Sequence, residues 1–345
     1  MSDLKLHIVS FSIPDPPDYG GIIDVYYKIR HLALAGVRIY LHCSLYGGRG
    51  PSETLDAWCE KVWYYPRHTG VAGLSLTKPY IVHSRRSEAL LHNLQSVNAP
   101  VFFDGLSTAY YLDHPSLSQR VKILRPQNVE QDYYALLAQR TKNLLKRVYY
   151  KREARLLRLY EDRLQHINAF FTVARHDHDF FKNKYPGAVH EYVPSFHPYD
   201  EVSSRAGTGT YCLYHGNLSV EENEEAAVFL LENIIPHITV PFLIAGKAPS
   251  ARLYEMAQRF SHCTIIANPD AAQMNELIAE AQVHVLPTFQ NTGLKLKLLH
   301  ALFHGRHVLV NEEMLHGTGL KAVCEVAENA AAFTEKIKEL MQVPF

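Results

Sequence analysis

The sequence has little that would mark a membrane-embedded, secreted or disulfide-built protein. Its 345 residues contain no run approaching the roughly 18 apolar residues of a membrane-spanning helix. The five cysteines, Cys43, Cys59, Cys212, Cys263 and Cys324, are far apart and form no C-x-x-C pair. That argues against a disulfide scaffold or a zinc ribbon and suits a reducing compartment. The opening Met1-Ser2-Asp3-Leu4-Lys5 runs straight into an apolar stretch, without the parts of a signal peptide, so a cytoplasmic protein is expected. Also absent are G-x-x-x-x-G-K-[ST], G-x-G-x-x-G after the first apolar run, H-E-x-x-H and G-x-S-x-G. Their absence argues against P-loop, dinucleotide-dehydrogenase, zincin and α/β-hydrolase chemistry. Net charge is missing too, with 35 Lys+Arg against 35 Asp+Glu, so no nucleic-acid partner is expected.

What is present is length, apolar content and rhythm. At 345 residues and 47% apolar, the chain exceeds what one hydrophobic core usually covers, and two domains are expected. In the first half, Leu4–Ile13, Val37–Cys43, Lys61–Tyr65, Pro100–Phe103, Val121–Leu124 and Ala169–Val173 read as strands. Ile22–Ala35 reads as a helix ended by Gly36. The second half repeats the pattern with strands at Tyr211–Tyr214, Val240–Ala245, Cys263–Ala267, Val283–Leu286 and His307–Val310. Helices are predicted between them at Glu221–Ile234, Ala251–Phe260, Ala271–Ala281 and Leu294–Phe303. Such alternation predicts parallel sheets with crossover helices, and hence an α/β protein of two Rossmann-like domains facing across a cleft. The small, polar segment 203–210 is the predicted linker. Residues 1–202 then form the N-terminal domain and 203–330 the C-terminal one. A last helix within 331–345 is expected to pack back on the N-terminal domain.

The zero net charge hides an asymmetry. Residues 1–200 carry 25 basic and 19 acidic side chains, and residues 201–345 carry 10 and 16. Nine Lys/Arg against three acids fall within 139–163, inside a stretch from Gln131 to Ile167 without Gly or Pro. It reads as one long helix or a helix pair, inserted in the N-terminal domain, with either a solvated basic face or peripheral contact with anionic lipid at the inner face of a membrane.

Ligands in open α/β sheets bind beyond the carboxyl ends of the strands, which directs attention to a few loops. After the first strand, Pro16-Pro17-Asp18-Tyr19-Gly20-Gly21 leads into a helix; a Gly pair there either admits an anion to backbone N–H groups or is a plain turn. His215-Gly216-Asn217-Leu218-Ser219 is the equivalent turn of the second half. Thr292-Gly293-Leu294-Lys295-Leu296-Lys297 is the most informative. Cations normally avoid the positive end of a helix, so Lys295 and Lys297 either hold an anion such as a diphosphate or are two surface lysines. In the first half, Asp104 ends a strand, and Arg125-Pro126-Gln127-Asn128-Val129-Glu130 could bind sugar hydroxyls or form an internal salt-bridge and capping network. Histidine is abundant, at 20 residues. Arg175-His176-Asp177-His178-Asp179 lacks a third ligand by spacing, and i,i+2 residues do not share a helix face. It reads as a helix start with Asp177 as cap, and no metal site is expected.

These residues together resemble the retaining GT-B glycosyltransferases of group 1 (glycosyltransferase family 4). Pro17-Asp18-Tyr19-Gly20-Gly21 and the helix end His31–Val37 fit the opening of that family's N-domain. Gly216, Asn217, Leu218, Ser219, Asn223, Ala226, Phe229 and Leu230 fit the start of its C-domain. Gly293, Lys295, Lys297, Leu299, Ala301, Gly305 and Val308 fit its signature helix. Arg125, Asn128, Glu130, Tyr133 and Tyr134 fit a motif that a subgroup carries before a long basic helix. The resemblance implies a metal-independent hexosyltransferase with no cofactor beyond its donor substrate, a GDP- or UDP-sugar. The acceptor it implies is a glycan or lipid-linked sugar, in cell-surface polysaccharide or glycoconjugate biosynthesis. It implies catalytic roles for Lys295, Lys297, Asp104 and Gln127. Donor binding falls to Gly20, Gly21, Gly216, Asn217, Lys247, Gly293, Leu294 and His300, and acceptor binding to Arg125, Asn128 and Glu130. The sequence departs from the family at His300 and Thr292, where carboxylates are usual, at Gln127, where a histidine is usual, and at Asn217 and Glu222, where cations are common. Those departures keep open a degenerate binding or scaffold subunit, and the fold keeps open a nucleotide-sugar epimerase.

Overall fold

The computed structural model describes residues 4–18, 20–289 and 296–345. Tyr19, Thr292, Gly293, Leu294 and Lys295 lie outside the described residues. The chain divides into two compact units, Met1–Pro198 and Tyr199–Phe345.

The first unit is built on a parallel sheet of seven strands among the described residues. They are β1 (Lys5–Ser10), β2 (Arg38–Leu45), β3 (Lys61–Pro66), β4 (Val101–Asp104), β5 (Lys122–Arg125), β6 (Ala169–Thr172) and β7 (Val189–Tyr192), in the order β3-β2-β1-β4-β5-β6-β7. The order reverses between β1 and β4, so the crevice that such sheets offer to ligands opens at the carboxyl ends of those two strands. The Gly20–Leu34 helix follows β1. Ile22, Val25 and Ile29 bury its inner face, and Gly36, at φ 83°, closes it in a conformation that suits glycine. Two apolar layers cover the sheet, one around Ile8, Val25, Ile29 and Leu41, the other around Phe103, Leu124, Leu157 and Phe170.

The second unit repeats the plan. Its strands are β8 (Cys212–Asn217), β9 (Phe242–Lys247), β10 (Cys263–Ala267), β11 (Val283–Leu286), β12 (His307–Val310) and β13 (Glu325–Val326), ordered β10-β9-β8-β11-β12-β13 and all parallel. The switch point here lies between β8 and β11. No helix among the described residues is long and apolar enough to cross a membrane.

The structure departs from the sequence reading at the margins. Strands β7 and β13 were not predicted; both stand at sheet edges, are short, and are only partly buried, so no apolar run announces them. Segment 203–210 does not hang free as a linker. Ser203 N donates to Phe303 O at 2.7 Å, and Arg205 pairs with Glu276 and Glu280, so the division falls earlier, after Pro198. The last helix, Ala330–Leu340, buries Phe333, Ile337 and Leu340 in the second unit's core. Their i, i+4, i+7 spacing forms one apolar stripe, and the helix packs beside β12. The 131–167 stretch, open between one long helix and a pair, is the pair, helices Glu130–Arg140 and Leu144–Glu161. Asp177 is not a cap: Ala174 holds that position and Asp177 is buried in the first turn of helix Arg175–Lys184.

Candidate functional site

In the second unit, the ends of β8 and β9 are held together by a glycine pair. Gly216 lies opposite Gly246, and a Cβ on Gly246 would stand 1.8 Å from Gly216 O. Asn217 lies opposite Lys247, whose backbone carbonyl accepts from Leu218 N at 2.9 Å while its side chain is exposed. Helix Glu221–Asn233 follows at once. Asn223 in its first turn donates through Nδ2 to Asn217 O at 2.9 Å. A Cβ on Gly216 would sit 3.3 Å from Asn223 Cγ, so the glycine leaves room for that side chain.

Asn223 and Tyr214 hold Lys297. The Lys297 ammonium donates to Asn223 Oδ1 at 2.9 Å and to Tyr214 Oη at 3.2 Å, and lies 4.9 Å from the Tyr214 ring centroid. Tyr214 is fully buried on β8, and its hydroxyl donates to Asn223 O at 3.0 Å. Three elements thus fix one cation beside the β8 end of the switch point. Beyond β11, Thr288 N and O are both engaged by the Asn311 side-chain amide, at 3.0 and 2.6 Å. The Thr288 hydroxyl donates to Glu222 Oε1 at 2.6 Å. A carboxylate therefore stands where sequence comparison with the family suggested a cation.

One turn along from Lys297, His300 shares hydrogen-bonding distance with Asn275 Oδ1 at 2.9 Å and stacks on Tyr199 at 5.1 Å. Burial, then His304, pushes its pKa down to about 4. His215 and His284 are buried behind it, and burial lowers both, His284 to about 3. All three imidazoles are neutral at pH 7. His215 Nε2 and His284 Nδ1 have no hydrogen-bond partner among the described residues. No group of three or more His, Cys, Asp or Glu placed to hold a metal ion occurs among the described residues.

In the first unit, Arg125 and Asp104 belong to an internal salt-bridge network, one of the two readings open for the Arg125–Glu130 segment; they are 1% and 0% exposed. Arg125 makes a two-pronged contact with the Asp24 carboxylate, 2.7 Å on each arm, and donates to Val193 O and Pro194 O at 3.0 Å. Asp104 is paired with Lys28, which also lies 3.5 Å from Asp24. Two carboxylates and two cations cancel, and their hydrogen bonds are internal, so the network lasts in the core without an external ligand. Burial would raise the Asp24 carboxyl, but Lys28 and Arg125 outweigh it and hold it at about 2. Gln127 covers the network from its less buried side, donating to Asp104 Oδ1 at 3.3 Å. Asp104 and Arg125 are positioning groups. They tie the helix after Gly20-Gly21 to β4, β5 and the 193–196 segment, where Phe196 N donates to Asp24 at 2.9 Å.

Of the remaining expected residues, Gly20 and Gly21 open the first helix, with Gly20 exposed. Asn128 and Glu130 are half-buried at the start of helix Glu130–Arg140, and burial pushes the Glu130 carboxyl up to about 7, with Arg85 pulling it down. The sequence reading missed Tyr214, Thr288, Asp24 and Lys28. A signal for the last two existed: they are an i,i+4 charge pair among Ile22, Val25 and Ile29, and charges within a core stripe are normally paired.

Residues 209–343 match the family described as "Glycosyl transferases group 1". An uncharacterized 44.6 kDa protein in the cps region of Klebsiella pneumoniae is 21% identical over 338 residues, covering 91% of this chain and 84% of its own. Among solved structures, a sucrose-phosphate synthase from Thermosynechococcus elongatus superposes with a TM-score of 0.67 at 12% identity, over 98% of this chain and 90% of that one. An Anabaena protein solved in complex with UDP and glucose superposes with a TM-score of 0.62 at 9% identity, again over 98% and 90%. The fold is GT-B, and within it the second unit carries the match to the group 1 glycosyl transferases.

Proposed function

We propose that this chain is a glycosyltransferase that moves a hexose from a GDP- or UDP-sugar to a glycan or lipid-linked acceptor, with retention of configuration and without a metal ion. The reading rests on one observation above all: an ammonium fixed at β8, where Lys297 meets Asn223 and Tyr214. A fixed cation at that point stabilises negative charge as it develops on the departing diphosphate. Lys295, two residues earlier, is assigned the same task by its sequence position. The C1–O bond to the diphosphate breaks, the acceptor oxygen bonds to C1 on the same face, and the leaving phosphate oxygen takes the acceptor's proton. Gly216, Asn217, Lys247, Gly293, Leu294 and His300 are assigned to the donor, with neutral His300 offering a hydrogen bond to a sugar hydroxyl. Gly20 and Gly21 are assigned to the donor's phosphate or sugar. Gln127, Asn128 and Glu130 are assigned to the acceptor side. UDP is the first nucleotide to test, because the Anabaena protein of the same fold was solved with UDP. The cps-region relative supports a role in cell-surface polysaccharide assembly.

Calorimetry and thermal shift against UDP, GDP, ADP and dTDP, with and without EDTA, test this reading. A ligand at 100 times its Kd stabilises the fold by about 2.7 kcal/mol, which a melting curve resolves. A selective response indifferent to EDTA is expected. Silence from a folded sample with all four would favour a scaffold subunit, a reading to which the Glu222 carboxylate beside Thr288 lends weight.

A further inference from the structure

The first unit carries a helical hairpin that plays no part in holding the charges described above. Helix Glu130–Arg140 turns through Thr141-Lys142-Asn143 into helix Leu144–Glu161. The turn is well built. Asn143 Oδ1 accepts from Lys146 N at 3.0 Å, and Arg147 donates to Thr141 O at 3.1 Å. The far half of the longer helix belongs to the core, with Glu153, Leu156, Leu157, Tyr160 and Glu161 buried. Its first turns do not. Leu144, Leu145 and Val148 are 70%, 84% and 67% exposed. Single exposed apolar residues are ordinary, but three at one helix start form a patch that water solvates poorly.

The charges around this patch have one sign. Arg140, Lys142, Lys146 and Lys151 are exposed, and none is ion-paired among the described residues. No Asp or Glu occurs between 133 and 152. Three of the later cations of the basic stretch are engaged within the chain, Arg152 with Glu153 at 2.8 Å, Arg158 with Gln131 at 3.1 Å and Arg163 with Asp113 at 2.8 Å, while Arg155 is exposed. The exposed basic charge is therefore densest at the tip, where an apolar point stands among cations with no ion pair among the described residues. An anionic bilayer offers both complements at once, acyl chains for the leucines and phosphates for the ammonium groups. A second copy meeting tip to tip would bring like charges together.

We infer that the 140–151 hairpin tip docks on an anionic phospholipid surface, with Leu144, Leu145 and Val148 entering the acyl boundary and Arg140, Lys142, Lys146 and Lys151 meeting the headgroup phosphates. The inference does not depend on the reaction proposed above. The test is cosedimentation of the full chain with vesicles of phosphatidylcholine alone, and of phosphatidylcholine and phosphatidylglycerol in equal parts. The protein is expected to sediment with the mixed vesicles only, and less so as salt rises. At about fivefold per surface charge, the Lys142→Gln/Lys146→Gln double variant should bind about 25-fold more weakly. Leu145→Ser should weaken binding about tenfold or more with its salt dependence unchanged. Leu144→Ser serves the same purpose if Leu145→Ser alters the melting curve. Equal binding to both vesicle types, or unchanged binding by both the lysine and the leucine variants, overturns the inference. So does self-association without lipid that Leu145→Ser abolishes, since that would give the face to a second copy of the chain.

Discussion

Lys297 Nζ lies 2.9 Å from Asn223 Oδ1, and Asn223 can lie there because position 216 has no side chain. The cation is thus set by the β8 turn and the helix after it, not by its own helix alone. Prepaid orientation of this kind lets one ammonium stabilise a transition state without rearranging as charge develops.

Removing the cation should lower turnover and leave the fold intact. Lys297→Ala is expected to reduce kcat by roughly 10²–10³, the usual scale for one such electrostatic donor. Steady-state kinetics beside a melting curve checks it. Turnover within a fewfold of the parent would end the assignment of Lys297 to the leaving diphosphate.

The two glycines of the β8–β9 pair should respond differently to the same methyl group. Gly246→Ala puts a Cβ 1.8 Å from a backbone oxygen, which side-chain motion does not relieve. Urea unfolding should show a loss of about 3 kcal/mol, at the upper end of overpacking costs. Gly216→Ala meets only the Asn223 side chain, at 3.3 Å. It should keep most stability while displacing Asn223, and weaken nucleotide binding in calorimetry. Equal stability losses in the two variants would contradict this division.

Breaking the buried network should cost the first unit much of its stability. Arg125→Ala leaves two buried carboxylates, Asp24 and Asp104, sharing Lys28 as their one cation among the described residues. A loss of about 3–5 kcal/mol is expected on denaturation, the range for removing one partner of a buried ion pair. Arg125→Lys should recover only part of it, because one ammonium does not reproduce the two parallel contacts of the guanidinium. Full stability in Arg125→Ala would show that the network is dispensable.

Acid should weaken the fold through its buried histidines. His300 and His284 titrate near 4 and 3 in the folded chain, against an ordinary 6.5. Between those values the unfolded chain binds protons that the folded chain does not, so stability falls as pH drops from about 6.5 toward 4. Urea midpoints measured across that window should show the slope, and His284→Gln or His300→Gln should flatten it. A slope unchanged by either variant would move the cause to other groups.

Much of the alternation of strands and helices was legible because parallel strands, covered on both faces, read as apolar runs. Val283–Leu286 and His307–Val310 agree with their predicted bounds for that reason. The edge strands Val189–Tyr192 and Glu325–Val326 carry no such run, since an edge needs only partial burial. Lys297 stood out as a cation at a helix start, yet its partner Tyr214 looked like any strand aromatic. The contact depends on a residue 83 positions away.

The sequence by itself determined the repeated α/β plan, the loops beyond the strand ends, and a basic segment free of acids from 133 to 152, because each follows from local periodicity and charge. Only the tertiary structure decided which charges face inward. Asp104 and Arg125 look like binding residues in a linear reading, and Lys142 looks no different from Arg163. Asp24 and Lys28, brought to β4 and β5 by the first helix, neutralise Arg125 and Asp104 in the core, while Asp113 takes up Arg163 and no carboxylate among the described residues reaches Lys142. Whether a charge is available depends on the partner that folding sets beside it, 101 residues away in the case of Arg125 and Asp24.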